Sequence, residues 1–568
     1  MSNSKKEKSN NIITYSRDVF FSNKSSIIIS SILLIISGLL DTIGLSLIAP
    51  TVSLLIEEPN SSIYNSEIIS KLKKVLDFFN IPYSLRYILT SIAIIMLLRS
   101  IFIFAQSFYL SIVQYNYTSE LSKKYHYYLN SLSWHSFKEY KQAATINAFS
   151  ESVRAGGSIK NYINLISNFF GILIYIVFLS IISFKMTVVS IVLSLFIILI
   201  FYRLIKISNF LGKKQTYKAQ QVFQDLSDSI NLAKYLRSHG KTNFMTKKLF
   251  NSIDSFKRNQ IKLGLNESIF QASYEYAFIG FLMLGLLIAT RYFDLTSSTI
   301  ALVTIILYRL FQRIKIFQQC YQSFNKTVPG YFSIKNEISK KQDNPDNWGN
   351  KKFKGIENFI ELKDASFSIN KRKIFSKLNF KFEKNKINVI IGKSGSGKTT
   401  LVDLITGLTE LDQGNLKIDG QDIKDFSKLS YLNSIGYVDQ NSYLFNDTIL
   451  NNIKWGAKGN VSKSKIYNLS KELKIHDLIS NLPNGYNSNV GDFGNSLSGG
   501  ERQRIVIART LINDPKILIL DEATSQLDIK SQDIILELLK KLKKSTTIIM
   551  VTHRKETLGI ADKVLEVN

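Results

Sequence analysis

Six apolar stretches, at about Ser25–Ile56, Arg86–Tyr115, Tyr162–Ser183, Thr187–Ile207, Ser268–Thr290 and Ser298–Phe317, dominate the first part of this 568-residue chain. Each is near or above the roughly 20 residues that a helix needs to cross a bilayer. Inside a bilayer every backbone N–H and C=O must be paired within the chain, so stretches of this length read as spanning helices. As buried helices of a soluble core they would have nowhere to pack. The first exceeds the required length and is expected to tilt or to extend past the bilayer, with a kink at Pro50. The turn Phe184 to Met186 joins the third and fourth spans, and a short turn holding Asp294 joins the fifth and sixth.

The polar segments between spans set the topology. Asn116–Ile159 and Ser208–Asn266 are long and basic, and Lys5, Lys6, Lys8 and Arg17 make the N-terminal segment basic too. Basic loops stay on the cytoplasmic side, so six spans put both termini in the cytoplasm of a cell-membrane protein. This distribution also accounts for much of the net charge of +28. No nucleic-acid-binding motif accompanies the charge, so nucleic acid is not an expected partner. The single cysteine, Cys320, allows neither an intrachain disulfide nor a multi-cysteine metal site. The polar N-terminus lacks the short apolar core of a removable signal peptide. After span six, residues 340–355 have the Pro, Gly, Asn and charge content of a linker, and 356–568 alternate strand and helix patterns.

Within that second region Gly392, Lys393, Ser394, Gly395, Ser396, Gly397, Lys398 and Thr399 lie between a strand at Ile387–Ile391 and a helix beginning near Thr399. The glycines let the backbone aim N–H groups at phosphate oxygens, and a helix N-terminus adds favourable partial charge. Lys398 reaches the β and γ phosphates, the Thr399 hydroxyl ligates Mg²⁺, and Thr400 completes the expected ATP set. Downstream, the apolar run Ile517–Leu520 delivers Asp521 and Glu522. A carboxylate at a buried strand's end can hold the Mg²⁺ shell, and its neighbour can polarise the water that attacks the γ phosphate.

Between these motifs stands Leu497, Ser498, Gly499, Gly500, Glu501, followed by an apolar helix. Here the chain resembles the ABC transporter ATPases, whose signature this is. The resemblance implies that Ser498, Gly499 and Gly500 contact the γ phosphate of ATP held by an opposite subunit. It extends to Gln440 as the Q-loop residue, which also implies a Mg²⁺ contact, to Ser525–Asp528 as the D-loop, and to His553 as the switch histidine. It therefore implies an α-helical polytopic membrane domain (25–339) followed by an α/β P-loop ATPase domain (356–568). By the same resemblance, coupling helices are expected near Ala143–Ser152 and Asp225–Leu236. One departure stands out: where related exporters place an aromatic residue to stack on adenine, this chain has Ile369, and Phe375 is the neighbouring alternative.

One membrane domain fused to one ATPase is half of an ABC exporter, and a homodimer is expected, with a heterodimer left open. The first span resembles exporters that include lipid-linked oligosaccharide flippases. An amphipathic lipid or lipid-linked glycan is the expected cargo; peptide or drug export is the alternative, and an ATP-gated channel or sensor the third. Asp41, Arg99 and Arg309 fall well inside spans one, two and six. Charges at that depth are costly unless paired or facing water. Asp41 and Arg99 can pair, Arg309 is expected to lack an acidic partner, and the two arginines are expected to receive an anionic part of the cargo.

Overall fold

The structure, a computed structural model, describes residues 12–48, 51, 82–139, 142–292, 297–339, 348–369, 372–524 and 528–567. The chain divides into two compact units: Met1–Leu132 with Lys138–Lys341, and Ser133–Phe137 with Gln342–Asn568.

The first unit is helical: α1 Ile12–Ser22, α2 Lys24–Ser46, α3 Leu85–Asn130, α4 Gln142–Ile182, α5 Phe184–Asn231, α6 Thr242–Tyr292 and α7 Ser297–Ile338. Among the described residues five helices, α2 to α6, are long and apolar enough to cross a membrane. The sixth expected span lies in α7, which has 42 residues but carries Arg309, Gln312, Arg313 and Lys315 where the apolar run would continue. Helices α3 to α7 are 41 to 51 residues long. At about 1.5 Å per residue they extend about 30 Å or more beyond a hydrocarbon core of about 30 Å.

Two local features differ from the sequence reading. Phe184 to Met186 are the first turn of α5, not a connecting turn; the chain reverses at Ser183, which is extended (φ −155°, ψ 105°) and accepts a hydrogen bond from the Met186 N–H. A serine caps well because its hydroxyl satisfies an N–H that the first helical turn leaves without a partner. The polar N-terminal segment also contains a helix, α1. Its Tyr15 and Val19 are buried, and the Tyr15 hydroxyl meets Ser158 Oγ at 2.8 Å. The Tyr15 ring packs edge-on against Tyr162, Phe324 and Tyr331. Of the expected coupling stretches, Ala143–Ser152 lies within α4, and Asp225–Leu236 covers the end of α5 and part of a short helix, Ala233–Ser238. Pro50, Asp294 and the first half of the linker, 340–347, lie outside the described residues.

The second unit has two sheets. β1 (Phe359–Ile369), β2 (Arg372–Glu383), β4 (Gln413–Ile418) and β5 (Gln421–Asp422) form an antiparallel sheet in the order β2-β1-β4-β5. β3 (Ile387–Gly392), β6 (Ile435–Val438), β7 (Ile517–Asp521), β8 (Thr547–Val551) and β9 (Lys563–Val567) form a parallel sheet in the order β6-β7-β8-β3-β9. β7 and β8 are buried at every residue, which is why they read as unbroken apolar runs. The carboxyl ends of all five parallel strands share one edge, the place where open α/β sheets bind ligands. Helices α8 (Lys398–Ile405), α9 (Gly499–Leu511) and α10 (Ile529–Leu542) complete the frame of the site. Trp134, grouped with this unit, donates from Nε1 to Asp403 Oδ2 at 3.2 Å and stacks on Phe137.

Candidate functional site

At the end of β3 the chain turns through Gly392 (φ +154°), Gly395 (φ +80°) and Gly397 (φ +97°) before α8 begins. Gly392 is required twice over. Its backbone pairs with Val567 of β9, and a Cβ there would sit 2.2 Å from the Val567 carbonyl oxygen. Lys398 is curled across the loop, its Nζ donating to the carbonyls of Gly392 and Lys393 at 2.9 Å each. Ser396 Oγ is buried and has no hydrogen-bond partner among the described residues. A loop of glycine N–H groups with an unpartnered hydroxyl and an ammonium held at its centre fits a polyphosphate.

Asp521 ends β7 beside Thr399, whose hydroxyl hydrogen-bonds its carboxyl. Burial pushes the Asp521 carboxyl up to about 6; Glu522, Asp439 and Asp403 push it the same way against the Thr399 hydroxyl. Crowded carboxylates of this kind favour a cation. Among the described residues no three His, Cys, Asp or Glu side chains converge to hold a metal by themselves. The donor set of one hydroxyl and one carboxylate fits a Mg²⁺ ion that would take its other ligands from phosphates and water.

Glu522 follows in the left-handed region (φ 48°), its N–H held by the Val551 carbonyl at 3.1 Å. That conformation is rare for a residue with a Cβ and turns the side chain out of the strand direction. Gln440 Nε2 donates to Glu522 Oε2 at 2.8 Å, and His553 Nε2 lies 2.8 Å from Glu522 Oε1. The three candidate catalytic residues therefore meet around one carboxylate, although 82 residues separate Gln440 from Glu522. Parallel neighbours β6, β7 and β8 bring them there.

The other expected ATP residues are held elsewhere in the unit. Ser498 caps α9: its Oγ accepts from the Glu501 N–H, and Glu501 Oε2 accepts from the Ser498 N–H. Gly499 and Gly500 form the first turn of α9, so these three residues sit at a helix N-terminus. Asp528 caps α10, and hydrogen bonds from Ser531 hold its carboxyl below the usual carboxylate range. Ser525 to Leu527 lie outside the described residues. Ile369 ends β1 half-buried against the core, and Phe375 is itself buried and stacked on Phe367, so Phe375 offers no exposed face for adenine. The sequence reading missed Ile374, whose Cγ2 lies 2.2 Å from where a Cβ on Gly397 would stand.

In the membrane unit Asp41, Arg99 and Arg309 come together. Asp41 is 1% exposed, Arg99 Nε lies 3.0 Å from its Oδ1, and Arg309 Nε lies 4.0 Å from its Oδ2. Arg309 thus has an acidic neighbour after all: α2, α3 and α7 together bring the one carboxylate within reach of both guanidiniums. The Arg99 contact is an ion pair without hydrogen-bond alignment, since both atoms lack an aligned partner. The Tyr175 hydroxyl on α4 donates to Asp41 Oδ2, and Arg313, one turn beyond Arg309, donates to Asn168 Oδ1 at 3.3 Å. No spacing in the sequence points to Tyr175, because its place depends on how α4 packs.

A bundle of membrane-length helices joined to a phosphate-loop domain with these strand-end carboxylates defines a membrane-bound nucleotide-binding protein of exporter architecture. The family model of the ABC transporter transmembrane region matches residues 27–314, and that of the ABC transporter matches residues 375–525. The chain belongs to the ABC transporter family. It is 32% identical over 279 residues to an ATP-dependent lipid A-core flippase of Vibrio cholerae, covering 48% of this chain and 47% of that one. It is 35% identical over 280 residues to a heavy metal tolerance protein of Schizosaccharomyces pombe, covering 48% of this chain and 33% of that one. The chain thus matches less than half the length of either relative. Its fold matches a bacterial Atm1-family ABC exporter with ATP bound, with a TM-score of 0.79 at 21% identity over 95% of this chain and 93% of that one.

Proposed function

We propose that this chain is one half of an ATP-driven exporter that works as a homodimer in the cytoplasmic membrane, with its ATPase domain in the cytoplasm, and moves an anionic amphipathic lipid or lipid-linked glycan. The observation that carries the ATPase reading is the meeting of Gln440 and His553 on Glu522 beside the phosphate loop. In this reading the loop N–H groups and Lys398 hold the phosphates. Thr399, Asp521 and the amide oxygen of Gln440, whose Nε2 donates to Glu522, would hold Mg²⁺. That ion supplies charge neutralisation on the phosphate oxygens. Glu522 orients and polarises the attacking water, and His553 stabilises the charge that develops on the transferred phosphoryl group. Ser498, Gly499 and Gly500 stand at a helix N-terminus suited to phosphate from the facing subunit.

The cargo reading rests on charge. Asp41 neutralises one of Arg99 and Arg309, and Arg309, the more distant and more exposed of the two, is left to receive an anionic group such as a pyrophosphate. The lipid A-core flippase likeness supports this class, while the heavy metal tolerance likeness shows how far cargo varies among relatives. The test is ATP-dependent, directional transfer of an anionic lipid-linked substrate in vesicles. Loss of transfer in Arg309→Ala with basal ATP hydrolysis retained supports cargo binding, and unimpaired transfer contradicts it.

A further inference from the structure

A second polar centre lies in the membrane unit at the polar end of its bundle. Arg154, on α4, is 21 residues before Tyr175, roughly 30 Å along the helix. Its Nη1 donates to both carboxylate oxygens of Glu151, at 3.0 and 2.9 Å, and to Thr216 Oγ1 on α5 at 2.6 Å. Its Nη2 donates to the backbone carbonyls of Gly212 on α5, at 3.3 Å, and of Lys326 on α7, at 2.9 Å. One guanidinium therefore joins three helices. At the same level the backbones of α5 and α7 touch: a Cβ on Gly212 would stand 2.6 Å from the Lys326 carbonyl oxygen. Asn209 on α5 donates to Asn325 on α7 at 3.2 Å, and Lys326 Nζ pairs with Glu267 on α6 at 2.8 Å.

α5 is tied separately to α6. Asn259 donates to the Leu211 carbonyl, and Asn266 donates to the Leu204 carbonyl and to Ser208 Oγ. The polar end of α4, α5 and α7 differs in one respect: among the described residues these three helices bury side-chain polar atoms without a hydrogen-bond partner. They are Asn147 Oδ1 on α4, Gln215 Oε1 on α5, and Gln318 Nε2 and Oε1 with Gln322 Nε2 on α7. Farther along, the same helices meet through apolar residues such as Leu179, Ile197, Phe201 and Leu310. A permanently closed seam is more stable when apolar, whereas buried amides without partners are satisfied once water reaches them.

We infer that the seam between α5 and the α4–α7 pair opens to water at its polar end in another arrangement of the bundle, and that Arg154, held by Glu151, is the clasp that closes it. Glycine at 212 permits the closed contact, and the amides of Gln215, Gln318 and Gln322 are hydrated when it parts. The inference rests on the transporter reading only in needing two arrangements of the bundle.

The test uses the full chain in lipid, with Cys320→Ser removing the native thiol, and reads alkylation of Gln322→Cys by a charged maleimide. Leu179→Cys, in the apolar part, is the control for general loosening. Gln322→Cys should react, and at least about tenfold faster when Arg154→Ala is added, with Leu179→Cys inert in both. Gly212→Ala, which keeps every charge and wedges the closed contact, should act in the same direction. Inert Gln322→Cys, a rate insensitive to Arg154→Ala, or equal reaction at Leu179→Cys overturns the clasp. ATP turnover by the same samples separates this outcome from the transporter reading: a chain without turnover whose seam still opens refutes that reading and leaves the clasp standing.

Discussion

In the ATPase unit Asp521 ends a parallel strand and Gln440, Glu522 and His553 follow the carboxyl ends of that strand and its neighbours; in the membrane unit Asp41, Arg99, Tyr175 and Arg309 arrive from four different helices. A strand end fixes both the position and the direction of the next residue, so backbone pairing alone brings the first set together. A helix presents each residue at an angle set by rotation and packing, so the second set exists only if four helices pack in register. The charge balance differs as well. The strand-end site gathers carboxylates and favours a cation, whereas the membrane centre gathers arginines around one carboxylate and favours an anion.

The largest expected effect breaks the strand-end site. Glu522→Gln should lower ATP hydrolysis by about 10²- to 10⁴-fold while nucleotide binding is kept, because the amide keeps the shape and loses the charge that polarises water. Lys398→Ala should weaken nucleotide binding itself; phosphate release and nucleotide titration distinguish the two.

The next compares the two arginines. Arg99→Ala removes the close partner of a 1% exposed carboxylate and should destabilise the membrane unit by about 3 kcal/mol, read as loss of folded protein on heating in lipid. Arg309→Ala, at the 4.0 Å contact, should leave assembly near wild type and remove transfer of the anionic cargo. Equal thermal loss from both would erase the distinction between a holding and a receiving arginine.

A smaller effect follows from Asp521. Its carboxyl is raised in the fold from 3.8 to about 6, so the folded state binds the proton more tightly and stability falls as pH rises through that interval. Above it the buried charge costs about 2–3 kcal/mol. Nucleotide-free Asp521→Asn should therefore gain thermal stability over wild type at pH 7.5 and lose that advantage near pH 4. An advantage that does not change with pH would place the cause elsewhere. The smallest effect is at Ile369: Ile369→Tyr should tighten ATP binding by roughly 0.5–1.5 kcal/mol if adenine lies over the end of β1. Unchanged affinity would remove the proposed deficit.

The same contrast explains what could be read from the sequence. The phosphate loop, the Asp521–Glu522 pair and the apolar runs of β7 and β8 are legible because the chemistry requires contiguous residues on a defined strand or turn. The pairing of Glu522 with Gln440 and His553 needed the sheet order, which spacing does not give; the resemblance supplied only the roles of the residues. In the membrane unit five of the six expected spans were legible from composition, but the Arg309–Asp41 contact and Tyr175 were not, because both depend on helix rotation. Helix α1 was hidden by the polar residues around it in the N-terminal segment, although Tyr15 and Val19, one turn apart, carry a helical signal. The turn at Ser183 was misplaced because apolar Phe184 and Met186 flank a lysine and looked like a loop between spans.

The central claim is that hydrolysis at Glu522 drives directional movement through the helical unit. The direct measurement is ATP-dependent accumulation of an anionic lipid-linked substrate on one side of vesicles holding the full chain, with wild type and Glu522→Gln compared at equal protein. Accumulation with wild type and none with Glu522→Gln is the expected result. Equal movement by both, or movement that only equalises the two sides, contradicts a pump and points to a channel.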